Sequence, residues 1–537
     1  MICYNFLMTV IKKLCRFFWK EKTFVPLIIF VAMTISVLPN LHYLSITPKD
    51  TYYAFAHNYI PDYYQYISHM KDGSDGKILM TFRSGPDNFA RKPVYLFYNV
   101  SGFLLSKLGI NLFTGYFLLR IFFSFIKFMM IYYLLFQIFP KSAGLRKLSL
   151  FFIWFSAPFF LINPLQIWNP TITSIDPLMR TLFLPHDLLT VTFLILASIF
   201  FNKWLEKEGK IRNILSSGLF FLFATITNPA MLLTFSFYFA TAIIIYLIKQ
   251  RNNYKKLFTG LIIVGLITLP VYLYYQWLFL TTLPFSLVLD SQKSLDYHIG
   301  IKEFIIISGP IFFIAVFAIR KLLTAENLLS KLVITWAIIP LILFQLYGRY
   351  LPMSPERILE SCFYIPLGIL GAITIYNIKK NSLKLVVVIL FITISIPYYY
   401  LSLTRQLTEY NQPFINIYVP NSTIDAFNWL DKNSKDESVV VSSYFSGNLL
   451  MAFSHNKILY GHPASVYQGK KRADETMAIY NINSTPEQIR IILDQENISY
   501  ILFTPDSLTY EQTNLKSINN IKQVFVNYGN SIYYYQK

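Results

Sequence analysis

His57-Asn58-Tyr59-Ile60-Pro61-Asp62-Tyr63-Tyr64-Gln65-Tyr66-Ile67-Ser68-His69-Met70 is a polar, aromatic stretch in a chain that otherwise reads as membrane. It follows the first long apolar run, Phe24 to Tyr43. Pro61 suits the first position of a helix, where its missing N–H would have had no partner in any case. Asp62 would then stand in the first turn, where the positive end of the helix dipole favours a carboxylate. If the helix continues, Asp62, Tyr66 and His69 fall at i, i+4 and i+7, on one face. Two readings stand side by side. One is a helix-start aspartate on a surface loop, a common arrangement. The other is a carboxylate poised for base chemistry beside aromatic rings, just outside a membrane.

The composition decides the class. Of 537 residues, 54% are hydrophobic and only 14% charged, whereas a soluble domain carries about a quarter charged residues. This is the balance of an integral membrane protein. The net charge of +19 gathers in short clusters between apolar runs, as on the inner side of a membrane protein. With no zinc motif and no Gly-rich phosphate loop, nothing points to nucleic acid as a partner. Cys3, Cys15 and Cys362 are too scattered for a disulfide framework, and Cys362 reads as a small packing residue. Lys12, Lys13, Arg16, Lys20 and Lys22 precede the first apolar run as in a signal anchor. No small-residue cleavage site follows, so the anchor is expected to be retained.

A crossing needs about 20 apolar residues. Runs near 24–43, 112–139, 148–165, 186–202, 214–229, 230–248, 257–280, 303–319, 332–347, 358–378 and 384–403 predict about eleven transmembrane helices. The basic clusters at 141–147, 203–212, 249–256, 320–331 and 379–384 all fall on the side of the N-terminus. Positive charge marks the cytoplasmic face, so the N-terminus is placed inside. The loops 44–111, 166–185, 281–302 and 348–357 and the tail 404–537 are then outside. Pro93 to Leu108 reads as a helix on or in the membrane surface, because counting it as a span would break the charge alternation. At Thr227-Asn228-Pro229 the alternatives are a tight hairpin and one long broken helix. The tail alternates helices (421–430, 486–496) with strands (439–441, 500–503, 523–526, 531–535), which predicts an extracytoplasmic α/β domain. The expected domains are 1–403, a membrane portion with its long first outer loop, and 404–537.

One span, a long outer loop with an early aspartate, many further spans and an outer soluble tail together resemble the GT-C superfamily. These are polytopic glycosyltransferases of mannosyltransferase-like or YfhO-like kind that use polyprenyl-phosphate-linked sugars. Pro61-Asp62-Tyr63-Tyr64-Gln65-Tyr66-Ile67 with Asp72-Gly73 is similar to their first outer loop. Phe427-Asn428-Trp429-Leu430, Val439 to Asn448 and Tyr460-Gly461-His462 are similar to the start of their outer domain. Many such enzymes carry two adjacent acidic residues in the first loop, but here Asp62 is flanked by Pro61 and Tyr63. That departure bears on the metal-dependent versions of the mechanism.

The resemblance implies transfer of a sugar from a polyprenyl-phosphate donor to an acceptor hydroxyl of a glycan, lipid or protein, at the outer face of the plasma membrane. A carboxylate within hydrogen-bond reach can take the acceptor's proton, and Asp62 is the expected base. Cations must meet the charge that builds on the leaving phosphate. Arg357, Arg349, Arg83, Arg91 and Lys92 are candidates, arginine being suited by its planar fork. Each could equally be a headgroup anchor. Asp176, Arg180 and His186 are candidates to orient a substrate, with Asp187 beside them, since ionisable groups near a bilayer are costly. Tyr66 and His69 complete the expected substrate-binding set. No metal ligand is assigned, although His57, Asp62 and His69 could hold a divalent cation. A transporter or flippase for lipid-linked glycans would show acidic residues in mid-span; these spans are nearly free of them. A non-catalytic scaffold with a glycan- or partner-binding outer domain would have no need of Asp62.

Overall fold

Several helices of this chain open on proline, among them those beginning at Pro185, Pro229, Pro310 and Pro486. The computed structural model describes residues 20–57, 59–158, 176–177, 180–206, 209–250, 253–294, 301–346, 355–359, 362–408, 416–507, 515 and 517–537. Lys12, Lys13, Arg16, Cys3, Cys15, Arg349 and most of the loop 166–185 lie outside them. Helix α1 (Glu21–Ser45) is followed by strand β1 (Thr51–Tyr53), α2 (Ile60–Ser74), α3 (Leu96–Lys107), α4 (Leu112–Ile138) and α5 (Ala143–Phe155). Next come α6 (Pro185–Leu205), α7 (Ile211–Thr227), α8 (Pro229–Lys249), α9 (Tyr254–Thr281) and α10 (Phe285–Ser294). Then follow α11 (Ile301–Ser308), α12 (Pro310–Val316), α13 (Ile319–Thr324), α14 (Leu328–Leu346), α15 (Pro355–Leu359), α16 (Tyr364–Tyr376) and α17 (Asn381–Thr408).

Among the described residues, six helices are long and apolar enough to cross a membrane: α1, α4, α6, α8, α9 and α17. The chain is a membrane protein. Other expected spans are shorter apolar helices, namely α7, α16 and residues Leu328–Leu343 of α14. The apolar run 303–319 is not one helix. Gly309, at φ 72°, separates α11 from α12, and Pro310 takes the first position of the second. Positive φ is a glycine conformation, and Pro310, with no N–H, can make no hydrogen bond back into α11. At the uncertain junction 227–229, α7 and α8 are separate helices. Asn228 is extended, and its side chain accepts from the Met231 N–H at 2.9 Å, capping α8 with Pro229 just inside.

The tail continues with β2 (Tyr418–Pro420), α18 (Asn421–Asn433), β3 (Val439–Val441), α19 (Tyr444–Phe453), β4 (Lys457–Ile458), α20 (Gly469–Tyr480), α21 (Pro486–Gln495), β5 (Ile498–Phe503), β6 (Ile521–Asn527) and β7 (Asn530–Tyr535). The helices near 421 and 486 and strands β3, β5, β6 and β7 fall where the sequence puts them. Helices α19 and α20 and strands β2 and β4 are additional. A capping box, Thr485 with Gln488, starts α21, the reciprocal bonding such a pair provides. The sheet order is β4-β3-β5-β7-β6; β3 runs parallel to β4 and β5, and β7 antiparallel to β5 and β6. Its core includes Val439, Val441, Ile489, Leu493, Ile501, Phe503 and Tyr533.

The chain packs as two units. One comprises Met1–Pro39, Leu119–Tyr275 and Leu295–Thr408; the other Asn40–Leu118, Gln276–Ser294 and Glu409–Lys537. The first loop therefore packs with the tail: β1 pairs antiparallel with β2, Tyr52 opposite Val419. The first unit is held by an apolar core that includes Phe128, Trp154, Phe235, Tyr238 and Trp336.

Candidate functional site

Asp62 stands in the first turn of α2, with Pro61 just inside the helix start. Its Oδ1 is 2.6 Å from Nε2 of His462. The other ring nitrogen, Nδ1, accepts the Ala464 N–H at 3.2 Å. A nitrogen that accepts carries no proton, so the ring donates Nε2–H to the carboxylate. The Asp62 side chain is 36% exposed and that of His462 8%. One oxygen is thus fixed by a buried ring while the carboxylate stays open to solvent.

The residues around this pair are aromatic. Tyr59 meets the His462 ring edge-on, centroids 5.7 Å apart. Tyr59 and Tyr444 lie near enough to influence each other's ionisation. Tyr444 lies 5.6 Å from Tyr460. Burial first, then Tyr59, Tyr460 and the Asp62 charge, push the Tyr444 phenol well above its ordinary value, so it remains a neutral donor. The strands explain the convergence. Tyr444 follows β3 and His462 follows β4, two parallel neighbours, and their carboxyl ends are where α/β sheets gather ligand-binding loops.

The rest of the expected face has a different use. Tyr66 stacks on Tyr98 at 4.4 Å and His69 on Tyr95 at 5.1 Å. Both are buried, in the packing of α2 against α3. Burial, with the Arg83 charge second, lowers the His69 pKa to about 3. Tyr66 and His69 share the predicted face but are covered core residues, not an open surface for substrate. The approach is so close because Gly73 and Gly102 face backbone. A Cβ on Gly102 would lie 1.9 Å from the Met70 carbonyl oxygen, and one on Gly73 1.8 Å from that of Asn99.

Arg83 is likewise not an open cation. It donates to Asp72 at 2.5 Å and to Ser68 Oγ at 2.8 Å, with only 1% of its side chain exposed. Burying an unpaired arginine would be prohibitive, and the pairing removes it from ligand chemistry. Arg91 pairs with Glu437 at 2.7 Å on the surface, and Lys92 lies over the Trp277 ring at 5.7 Å.

In the other unit the structure brings Arg180, His186 and Asp187 together and adds Asn228. Asn228 donates to Asp187 at 2.7 Å. Arg180 Nη1 is 3.7 Å and His186 Nε2 3.3 Å from the same carboxylate. Arg180 also covers the Phe183 ring at 3.7 Å, and Asp176 accepts from the Tyr398 hydroxyl. All four ionisable groups are buried. Arg357 is half-buried in the short α15. Among the described residues no three His, Cys, Asp or Glu side chains gather as a metal site, and His57, Asp62 and His69 do not converge: His57 packs on Tyr63 and Tyr116. His462 escaped the sequence reading as a site residue; its one signal was Tyr460-Gly461-His462 in the resemblance.

No protein-family model and no curated sequence matches the chain, but solved structures do. Over 90% of this chain and 70% of its own, the archaeal oligosaccharyltransferase AglB from Archaeoglobus fulgidus is similar at 12% identity, TM-score 0.57. ArnT from Cupriavidus metallidurans, bound to undecaprenyl phosphate, matches 95% of this chain and 97% of its own, at 11% identity and TM-score 0.55. The chain shares the fold of these two proteins. The arabinofuranosyltransferase AftD from Mycobacteria shares it at 10% identity and TM-score 0.58, over 94% of this chain and 39% of AftD. A fold of the kind that the resemblance predicts is thus present, at an identity too low to carry residue roles.

Proposed function

We propose that this protein is a membrane glycosyltransferase moving a sugar from a polyprenyl-phosphate donor to an acceptor hydroxyl on the outer face of the plasma membrane. The observation that carries the reading is the Asp62–His462 pair, 2.6 Å apart, with the carboxylate open. The GT-C fold supports it, and so do the dolichol-phosphate and undecaprenyl phosphate of the AglB and ArnT structures. The reading includes about eleven crossings, an inside N-terminus and an extracytoplasmic tail.

In this mechanism the acceptor oxygen forms a bond to the anomeric carbon as the bond from that carbon to the phosphate oxygen breaks. The acceptor's proton passes to Asp62, through the oxygen that His462 leaves open. The electron pair leaves with the polyprenyl phosphate. Arginine suits the charge that develops there; Arg83, held by Asp72, is withdrawn from that role. Tyr59, Tyr444 and Tyr460 would present ring faces and hydroxyls to a sugar. A divalent cation is not needed for the proton transfer as drawn. The acceptor is a glycan, a lipid or a protein.

The test is Asp62→Asn in the purified, reconstituted protein, assayed with polyprenyl-phosphate sugars. The variant keeps the volume and the His462 contact but loses the base. Transfer should fall by roughly 100-fold or more, the usual contribution of a positioned base, with the thermal midpoint unchanged. Undiminished transfer would remove Asp62 from the chemistry.

A further inference from the structure

A polar cavity of about 380 Å³ opens in the unit that lacks Asp62, where α6 ends and α7 begins. Its wall carries three cations, Lys203, Lys210 and Arg212, and one carboxylate, Glu206. None of the three cations has a carboxylate partner among the described residues. Lys203 instead donates to the Tyr133 hydroxyl at 2.6 Å and lies over the Phe200 and Tyr133 rings. Asn213 and Ser216 complete the wall with uncharged donors. Three cations against one carboxylate leave the hollow net positive, a field that an anion would offset. Lys210 flanks the start of α7 without a side-chain cap, so the positive end of the helix dipole adds to the same field.

This loop is one of those that the positive-charge count assigns to the inner face, at the end of a helix able to cross the membrane. Basic hollows between helices on that side suit phosphate headgroups. We propose that this cavity binds the phosphate of an anionic phospholipid, with Lys203, Lys210 and Arg212 as its cations and Asn213 and Ser216 as hydrogen-bond donors. Phe200, in the wall, offers an apolar surface to the glycerol end of such a lipid. The site is independent of sugar transfer and holds whether or not Asp62 is a base.

Full-length protein in detergent, given equal phosphatidylglycerol and phosphatidylcholine and read by native mass spectrometry, tests it. The wild type should retain phosphatidylglycerol preferentially. Lys210→Glu/Arg212→Glu, at two exposed positions, should weaken that retention by at least roughly 30-fold, the effect of two basic residues on an anionic lipid. A charge-matched control at the exposed Lys379→Glu/Lys380→Glu should leave it unchanged, and the Ser216→Val variant should weaken it without any change in charge. Inorganic phosphate is added alone in a parallel arm. A raised thermal midpoint there, with no lipid retained, would overturn the lipid assignment in favour of a soluble phosphate. Equal retention of both lipids, or full retention by the cavity variant, would overturn the site.

Discussion

A carboxylate can act as a base only if one oxygen stays open to the proton it is to take, and a neighbour that holds the other oxygen sets its aim. Asp62 meets both conditions through His462. Replacing the ring with one of similar shape but no donor isolates that function. His462→Phe should keep the edge contact with Tyr59 and lose the hydrogen bond. Leaving a charged acceptor without its donor costs about 1–3 kcal/mol, so kcat should fall roughly 5- to 150-fold with KM little changed. A loss confined to KM would make His462 a binding group. A fall in thermal midpoint equal to that of a buried-core substitution would make it structural. Asp62 was legible in the sequence because Pro-Asp at a helix start is a local signal. His462 was not, since 400 positions separate the two and only the fold closes that distance. Arg83 misled for the complementary reason: a cation in a polar loop looks available until its buried partner, Asp72, is located.

Helices meet closely only where side chains permit, and α2 and α3 meet through glycines. Gly102→Ala would put a methyl group against the Met70 carbonyl, where backbone cannot yield cheaply. Overpacking of this kind costs about 1–3 kcal/mol. The variant should unfold at a lower temperature than the wild type, while Gly109→Ala, with open space around it but a left-handed backbone, should lose less. Equal losses would refute the close approach. The far end of α2 is tied to α18 by His455. Its Nδ1 lies 2.7 Å from Asp431 and its Nε2 2.5 Å from Asp75. Carboxylates only accept, so both nitrogens donate and the ring is an imidazolium. Bonds to Asp431 and then Asp75 raise its pKa against burial and the nearby Lys71. Burial opposes the ionised form of Asp431, but His455 and Lys71 outweigh it and hold its pKa at about 2. A raised histidine stabilises the fold fully below about pH 6.5, and that gain disappears as pH rises through the folded-state value. A lowered aspartate stabilises above its ordinary value of 3.8, and that gain disappears as pH falls toward about 2. The tie is therefore strongest between those limits. The thermal midpoint of wild type minus that of His455→Leu should be largest near pH 5.5 and shrink by pH 9; a flat difference would deny the imidazolium. This tie joins residues from the first loop and the tail, so no local pattern announced it.

At the level of the whole molecule, hydropathy counts apolar residues and does not register helix continuity. That is why the run 303–319 read as one span and is two helices parted at Gly309-Pro310, and why, among the described residues, only some of the expected crossings are full-length helices. What hydropathy does preserve is the order of apolar runs and polar loops, and the fold is shared with AglB and AftD at 10–12% identity. Orientation is set by another quantity, the sidedness of positive charge, and it can be tested directly. In a chain whose native Cys3, Cys15 and Cys362 are replaced by serine, one cysteine is introduced at a time. Tyr528, 92% exposed in the β6–β7 turn, and Arg212, exposed at the start of α7, are the two positions. The inside count of Lys and Arg requires Tyr528→Cys to react with an impermeant maleimide on intact cells, and Arg212→Cys only after the membrane is opened. The reverse pattern would put the sheet and the Asp62–His462 pair in the cytosol. A lipid-linked sugar presented on the outer face could not reach the base there, whatever the chemistry of the pair. The labelling thus constrains the enzyme reading independently of any assay of transfer.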